Sequence, residues 1–148
     1  MGLLIIEQDL VLAETIRGIA IIPYLFAVVV WLILIFKMWT FLPKDYARTT
    51  PIKAVGFLFI PFYNIYWIFQ AVWGFSKDFN QYITSKALNV PLLQTNLFLV
   101  FTIIWLLTGL LSWGLYEVAF FLDIAIAIIL PIMVSNICDG LNAISDYL

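Results

Sequence analysis

Histidine is absent from this chain of 148 residues, and cysteine occurs once, at Cys138. With no second thiol an intramolecular disulfide is excluded, as are metal sites built from paired cysteines or histidines. Charge is scarce: 11% of residues are Asp, Glu, Lys or Arg, against roughly a quarter in an ordinary soluble domain. The seven Lys and Arg are scattered singly, so no basic run exists to hold nucleic acid. No basic cluster abuts a helix to mark an anionic-lipid site. Ser/His/Asp, Cys/His and phosphate-loop arrangements are missing too, which leaves general acid–base catalysis few candidates. We therefore expect no enzyme, no catalytic residue, no metal and no cofactor.

What the chain has in abundance is apolar surface. Hydrophobic residues make up 65% of it, and the mean hydropathy is +1.09. A soluble fold would leave large apolar patches in water, which monomers rarely do, so lipid is the expected solvent. A spanning helix needs about 20 apolar residues. The expected fold is all-α: a single membrane domain over residues 1–148, a bundle of four transmembrane helices. The spans are expected over about residues 18–40, 54–75, 95–113 and 118–138. A short interfacial helix over 3–16, carrying Glu7, Gln8, Asp9 and Glu14, is expected to precede them. No basic segment of a cleaved signal opens the chain, so the first span is expected to act as an uncleaved anchor. Lys37, Lys44, Arg48 and Lys53 would lie at one membrane face and Arg17, Lys77 and Lys86 at the other, a balance that leaves the orientation open.

The second span is the most informative, with aromatic residues throughout and Pro61 and Asn64 near its middle. Pro61 removes the hydrogen bond its N–H would give to the Phe57 carbonyl, so a kink is expected there. Asn64, one turn later, is expected to face the bundle interior and bond across it. Tyr63, Tyr66, Trp67 and Gln70 follow the i, i+3, i+4, i+7 spacing of one helix face. Such a stripe suits a flat apolar ligand, but helix packing is the preferred role. Asp123 lies inside the fourth span, where a carboxylate is a candidate for ion or proton handling, although a nearby helix N-terminus also stabilises it.

Polar residues cluster where the second and fourth spans end. Ser76, Lys77, Asp78 and Asn80 would meet Ser135, Asn136, Cys138, Asp139 and Asn142 at one face of the membrane. We expect a satisfied network that fixes the helix register, with a Lys77–Asp139 ion pair as its sharpest form and a headgroup site as its alternative. Cys138 is expected to be a small buried residue.

The stretch over 43–81 and the closing segment over 135–144 also resemble a group of uncharacterised bacterial polytopic membrane proteins. The resemblance rests on Ile60, Pro61, Phe62, Asn64, Tyr66 and Trp67; on Ser76, Lys77, Asp78 and Asn80; and on Cys138, Asp139, Asn142 and Ala143. It covers about a third of the chain directly. It implies a bacterial inner-membrane location and a significance for the Asn64, Asp78 and Asp139 regions, and it supplies no activity.

The expected function is packing: an accessory or scaffold subunit of a larger membrane complex, or a homo-oligomer, with membrane lipids and other membrane subunits as partners and no nucleic acid. One alternative is a small transporter or channel lined by Asn64, Gln70 and Asp123. Another is a binder of a hydrophobic cofactor or lipid.

Overall fold

The computed structural model describes Thr15, Ile22 and residues 25–145, with only the backbone of Tyr116 and Ser145. The expected interfacial helix, apart from Thr15, and the start of the first span lie outside these residues. The chain divides into two compact units, Met1–Leu34 and Ile35–Leu148. In the first, residues 25–34 are helical. All regular structure among the described residues is helical. We name α1 (Leu25–Phe41), α2 (Pro51–Gly56), α3 (Tyr63–Ile68), α4 (Gly74–Ser85), α5 (Thr95–Leu111) and α6 (Tyr116–Ser145).

The stretch expected as one kinked span over 54–75 is broken in two. Thr50 caps α2, its hydroxyl accepting from the Lys53 N–H at 3.4 Å, and Pro51 occupies the first turn, where a missing N–H costs nothing. α2 tightens into a 3-10 turn over Phe57–Phe59 and stops. Ile60 is extended (φ −86°, ψ 115°), as the residue before a proline prefers. Phe62 then takes φ 63°, and the Tyr63 N–H bonds to the Pro61 carbonyl at 2.7 Å, closing a γ-turn. The Phe57 carbonyl, expected to be orphaned, accepts the Ile60 N–H at 3.4 Å. The proline reverses the chain instead of bending a helix.

Beyond the turn, α3, a π-helical segment over Phe69–Trp73 and α4 follow one another without interruption. The preceding segment runs antiparallel alongside them. The Tyr46 and Tyr82 rings meet at 5.2 Å, the Trp67 indole donates to the Ala54 carbonyl at 3.0 Å, and Phe57 lies edge-on to Tyr63 and Trp67. Loop 43–50 therefore lies at the same end of the second unit as loop 86–94, where opposite ends were expected. The pattern of apolar residues is blind to such a fold-back, because both strokes of the hairpin are apolar.

α4 ends in a Schellman-type cap: Leu88 N–H bonds to the Ile83 carbonyl and Ala87 takes φ 52°, a position that favours glycine. α5 and α6 form an antiparallel hairpin through residues 112–115. α6 continues through Pro131 well past the expected limit at 138.

The core gathers at the end that carries loops 43–50 and 86–94. Ile68, Ala71, Val72, Phe75, Phe79 and Ile83 form the buried stripe of the α3–α4 rod. Met38 and Trp39 are buried on α1, Phe98 and Phe101 on α5, and Met133, Ile137 and Ile144 on α6. Gly140 lets α6 come close to α4: a Cβ would lie 3.0 Å from the Phe79 ring edge, which would have to give way by a few tenths of an ångström. Toward the other end Phe62, Tyr66, Leu110, Trp113, Phe121 and Ile128 are exposed. Among the described residues one helix, Glu117–Ile144, is long and apolar enough to cross a membrane, with a mean hydropathy of 2.5 over its best window.

Candidate functional site

Among the described residues the most elaborate polar arrangement centres on Arg48, a loop cation that nothing local in the sequence singles out. Its Nε donates to both carboxylate oxygens of Asp78 at 3.0 and 2.9 Å, its Nη2 donates to Oδ1, and its backbone N–H reaches Oδ2 at 3.0 Å. Nη1 donates to Gln70 Oε1 at 2.9 Å. Asp78 is 4% exposed, while the Arg48 side chain keeps 36% of its surface. A planar guanidinium suits this forked contact, and an ammonium does not. The hydrogen bonds to Asp78 raise the Arg48 pKa above its ordinary value against the opposing effect of burial. Arg48 is thus charged at every accessible pH.

The backbone of the α3–α4 rod prepares this clasp. In an uninterrupted α-helix, residues eight apart are turned about 80° from one another. The π segment over Phe69–Trp73 takes up an extra residue, which brings Gln70 and Asp78 to within about 20°. Between them Gly74 leaves the guanidinium room, since a Cβ there would lie 3.0 Å from Nη1 and 3.2 Å from Cζ. Trp39 braces the same segment from α1, its indole donating to the Ala71 carbonyl at 2.9 Å and its ring edge-on to Phe75. Asp45, Tyr46, Ala47 and Gln81 complete an open depression of about 460 Å³ around the clasp.

A second clasp ties loop 86–94 to α4. Asn80 Nδ2 donates to the Leu93 carbonyl and the Leu93 N–H donates to Asn80 Oδ1, each at 2.8 Å. The side-chain amide replaces a backbone ladder that the irregular loop lacks.

The other sequence candidates take separate positions. The Lys77–Asp139 pair does not form. Lys77 lies 3.3 Å over the Trp73 ring, a cation–π contact, and Asp139 is exposed. Ser76 donates to the Trp73 carbonyl at 2.8 Å. Cys138 is exposed, not buried, because it falls on the outer side of α6 from Ile137 and Gly140. Asn136 keeps a buried Nδ2 without a hydrogen-bond partner among the described residues. Asn142 is exposed.

Tyr63, Tyr66 and Trp67 pack on one another and on α2. Tyr63 stacks on Trp67 with centroids 5.6 Å apart, and Tyr66 tilts against Tyr63. Asn64 makes no cross-bundle hydrogen bond among the described residues, because the turn at Pro61 puts it at the start of a helix. It lines a groove of about 180 Å³ with Ile65, Trp105, Leu106, Gly109 and Leu110. Asp123 is exposed and lines an open depression of about 700 Å³ with Ser112, Glu117 and Phe120. Asn64, Gln70 and Asp123 thus line three different depressions among the described residues.

No protein-family model, curated protein or solved structure matches the chain.

Proposed function

We propose that this chain is an integral membrane protein whose four helical rods (α1, α3–α4, α5 and α6) sit in the bilayer, and that it acts by packing against other membrane chains. The observation that carries this is the outer face of α6. A helix buried in a soluble core passes the same hydropathy test, but there most of the window is covered; here 11% of it is. Phe120, Phe121, Ile124, Ile128 and Ile132 all present large apolar side chains outward. In water such a face would drive aggregation; in lipid it is at rest, and it is available to another helix.

Its role is that of an accessory or scaffold subunit, or of a homo-oligomer. The polar groups support this. Arg48, Gln70, Asp78 and Asn80 spend their hydrogen bonds inside the chain, and the residues suggested for a transport path are dispersed. Apolar helix surface is what remains for a partner. The resemblance to bacterial polytopic proteins fits an inner-membrane location.

Purification from the host in a mild detergent tests the proposal. Defined membrane chains, or further copies of this one, should co-purify in fixed ratio. A compact monomer that stays dissolved in plain buffer without amphiphiles would overturn it.

A further inference from the structure

Where the hairpin of α2 and α3 lies relative to the charges says more than hydropathy did. Its tip is apolar and bare: Phe59 is 68% exposed and Phe62 87%. Its backbone nearly closes on itself: the N–H groups of Ile60, Tyr63, Asn64 and Ile65 find carbonyls within the turn, Pro61 has no N–H to satisfy, and the Phe62 N–H makes no backbone hydrogen bond among the described residues. A non-helical turn with so few open backbone groups comes near to meeting the main demand of a hydrocarbon environment.

The charges are segregated along the same axis. Among the described residues the cations are Lys37, Lys44, Arg48, Lys53, Lys77 and Lys86. They belong to the end of α1, loop 43–50, α2, α4 and the loop after it, the stretches that the clasps and Tyr46–Tyr82 tie together. The opposite end, at the α5–α6 hairpin, carries Glu117 and Asp123 and no described cation. With loops 43–50 and 86–94 at one end, the described cations all fall on one side, and of the seven in the chain only Arg17 lies outside the described residues. Excess Lys and Arg mark the cytoplasmic face. From Tyr63 to Phe75 the rod carries no charged residue over about 20 Å, short of the ~30 Å hydrocarbon thickness.

We propose that residues 51–85 form a re-entrant hairpin that enters and leaves the bilayer through the cytoplasmic face, with the Phe59–Phe62 tip among lipid acyl chains and loops 43–50 and 86–94 both in the cytoplasm. This rests on the membrane location proposed above and deepens it. The occupant of the tip is lipid, because the side chains there are large and apolar, with no charge among them, while the cations wait at the headgroup level of the same hairpin.

The lone cysteine makes the test direct. In the full-length Cys138→Ser chain, single cysteines are placed at Asp45, Asn89, Ser112 and Phe62, and a membrane-impermeant maleimide is applied to intact and to permeabilised cells. Asp45→Cys and Asn89→Cys should label only after permeabilisation, and Ser112→Cys in intact cells. Phe62→Cys should resist the impermeant reagent and react with a lipid-soluble one. Phe59→Cys serves where the Phe62 variant fails to accumulate. Labelling of positions 45 and 89 from opposite faces overturns the hairpin. Reaction of position 62 with the impermeant reagent overturns the lipid contact, and so does protection from both reagents, which would mean that another chain covers the tip. Alkaline carbonate washing separates this from the broader proposal. Release of the wild-type chain from membranes would sink membrane integration itself, whereas retention with positions 45 and 89 on opposite faces sinks the hairpin alone.

Discussion

The two ends of the second unit are built on different principles. At the end with loops 43–50 and 86–94, Trp39, Phe75, Phe79, Phe98 and Ile137 are all but fully buried, and irregular chain is fastened by directed hydrogen bonds. At the other end α5 and α6 splay large apolar side chains outward, with Trp113 94% exposed at the hairpin. In the membrane setting proposed above, the difference follows from solvent. Next to water, hydrophobic burial holds a core together. Between lipid tails that force vanishes, and helices associate through close packing and occasional polar contacts. A tryptophan at the hairpin suits the headgroup boundary.

If that contrast is right, substitutions at the packed end cost stability and those at the open end do not. The largest effect is expected from Trp39→Ala, which removes a buried indole and its bond to the Ala71 carbonyl; a loss of about 4 kcal/mol is expected for a cavity of that size, read by thermal melting in detergent. Arg48→Ala strands the buried Asp78 carboxylate and should cost about 2 kcal/mol, below the value for a fully buried pair because Arg48 is partly solvated. Arg48→Lys should recover little of this, as one ammonium cannot reproduce the fork. Raising the pH should not mimic the mutation. A cation whose folded pKa is raised stabilises below its unfolded pKa and loses that contribution only as pH climbs through the folded value, beyond the range in which the protein is handled. A melting point that collapsed in mild alkali while Arg48→Ala left it unmoved would break the comparison.

Smaller effects sharpen it. Ala87→Gly relieves the left-handed backbone at the end of α4 and should stabilise by about 1 kcal/mol. Phe121→Ala, on the open face of α6, should change detergent stability by less than about 0.5 kcal/mol, while weakening retention of any co-purifying chain.

Much of the helical plan was legible in the sequence. The apolar run after Gln94 and the glycine at 114 marked α5 and the hairpin to within a few residues, because long apolar segments and their breaks are local signals. The clasp was not legible. Arg48 and Asp78 are 30 residues apart, and nothing local to either names the other. Pro61 was visible, yet whether a proline kinks or ends a helix depends on the turn that follows, here a Phe62 with positive φ that propensity alone would not suggest. The π segment was hidden for a related reason. It changes the phase of a helix without changing its composition, so a stripe counted at α-helical spacing runs true up to Gln70 and drifts beyond it.

That π segment makes the winding of a single turn act as a rotary setting. Deleting one residue between Phe69 and Trp73 would let the rod wind as plain α-helix and leave Gln70 and Asp78 within about the same 20° of one another. Rewinding the segment as α-helix with every residue kept would instead swing the aromatic hairpin through about 100° relative to α4. Arg48 would then keep Asp78 and lose Gln70, and the tip of the hairpin would address a different neighbour. The pitch of one turn thus governs which surface the molecule offers to its surroundings, with its composition unchanged.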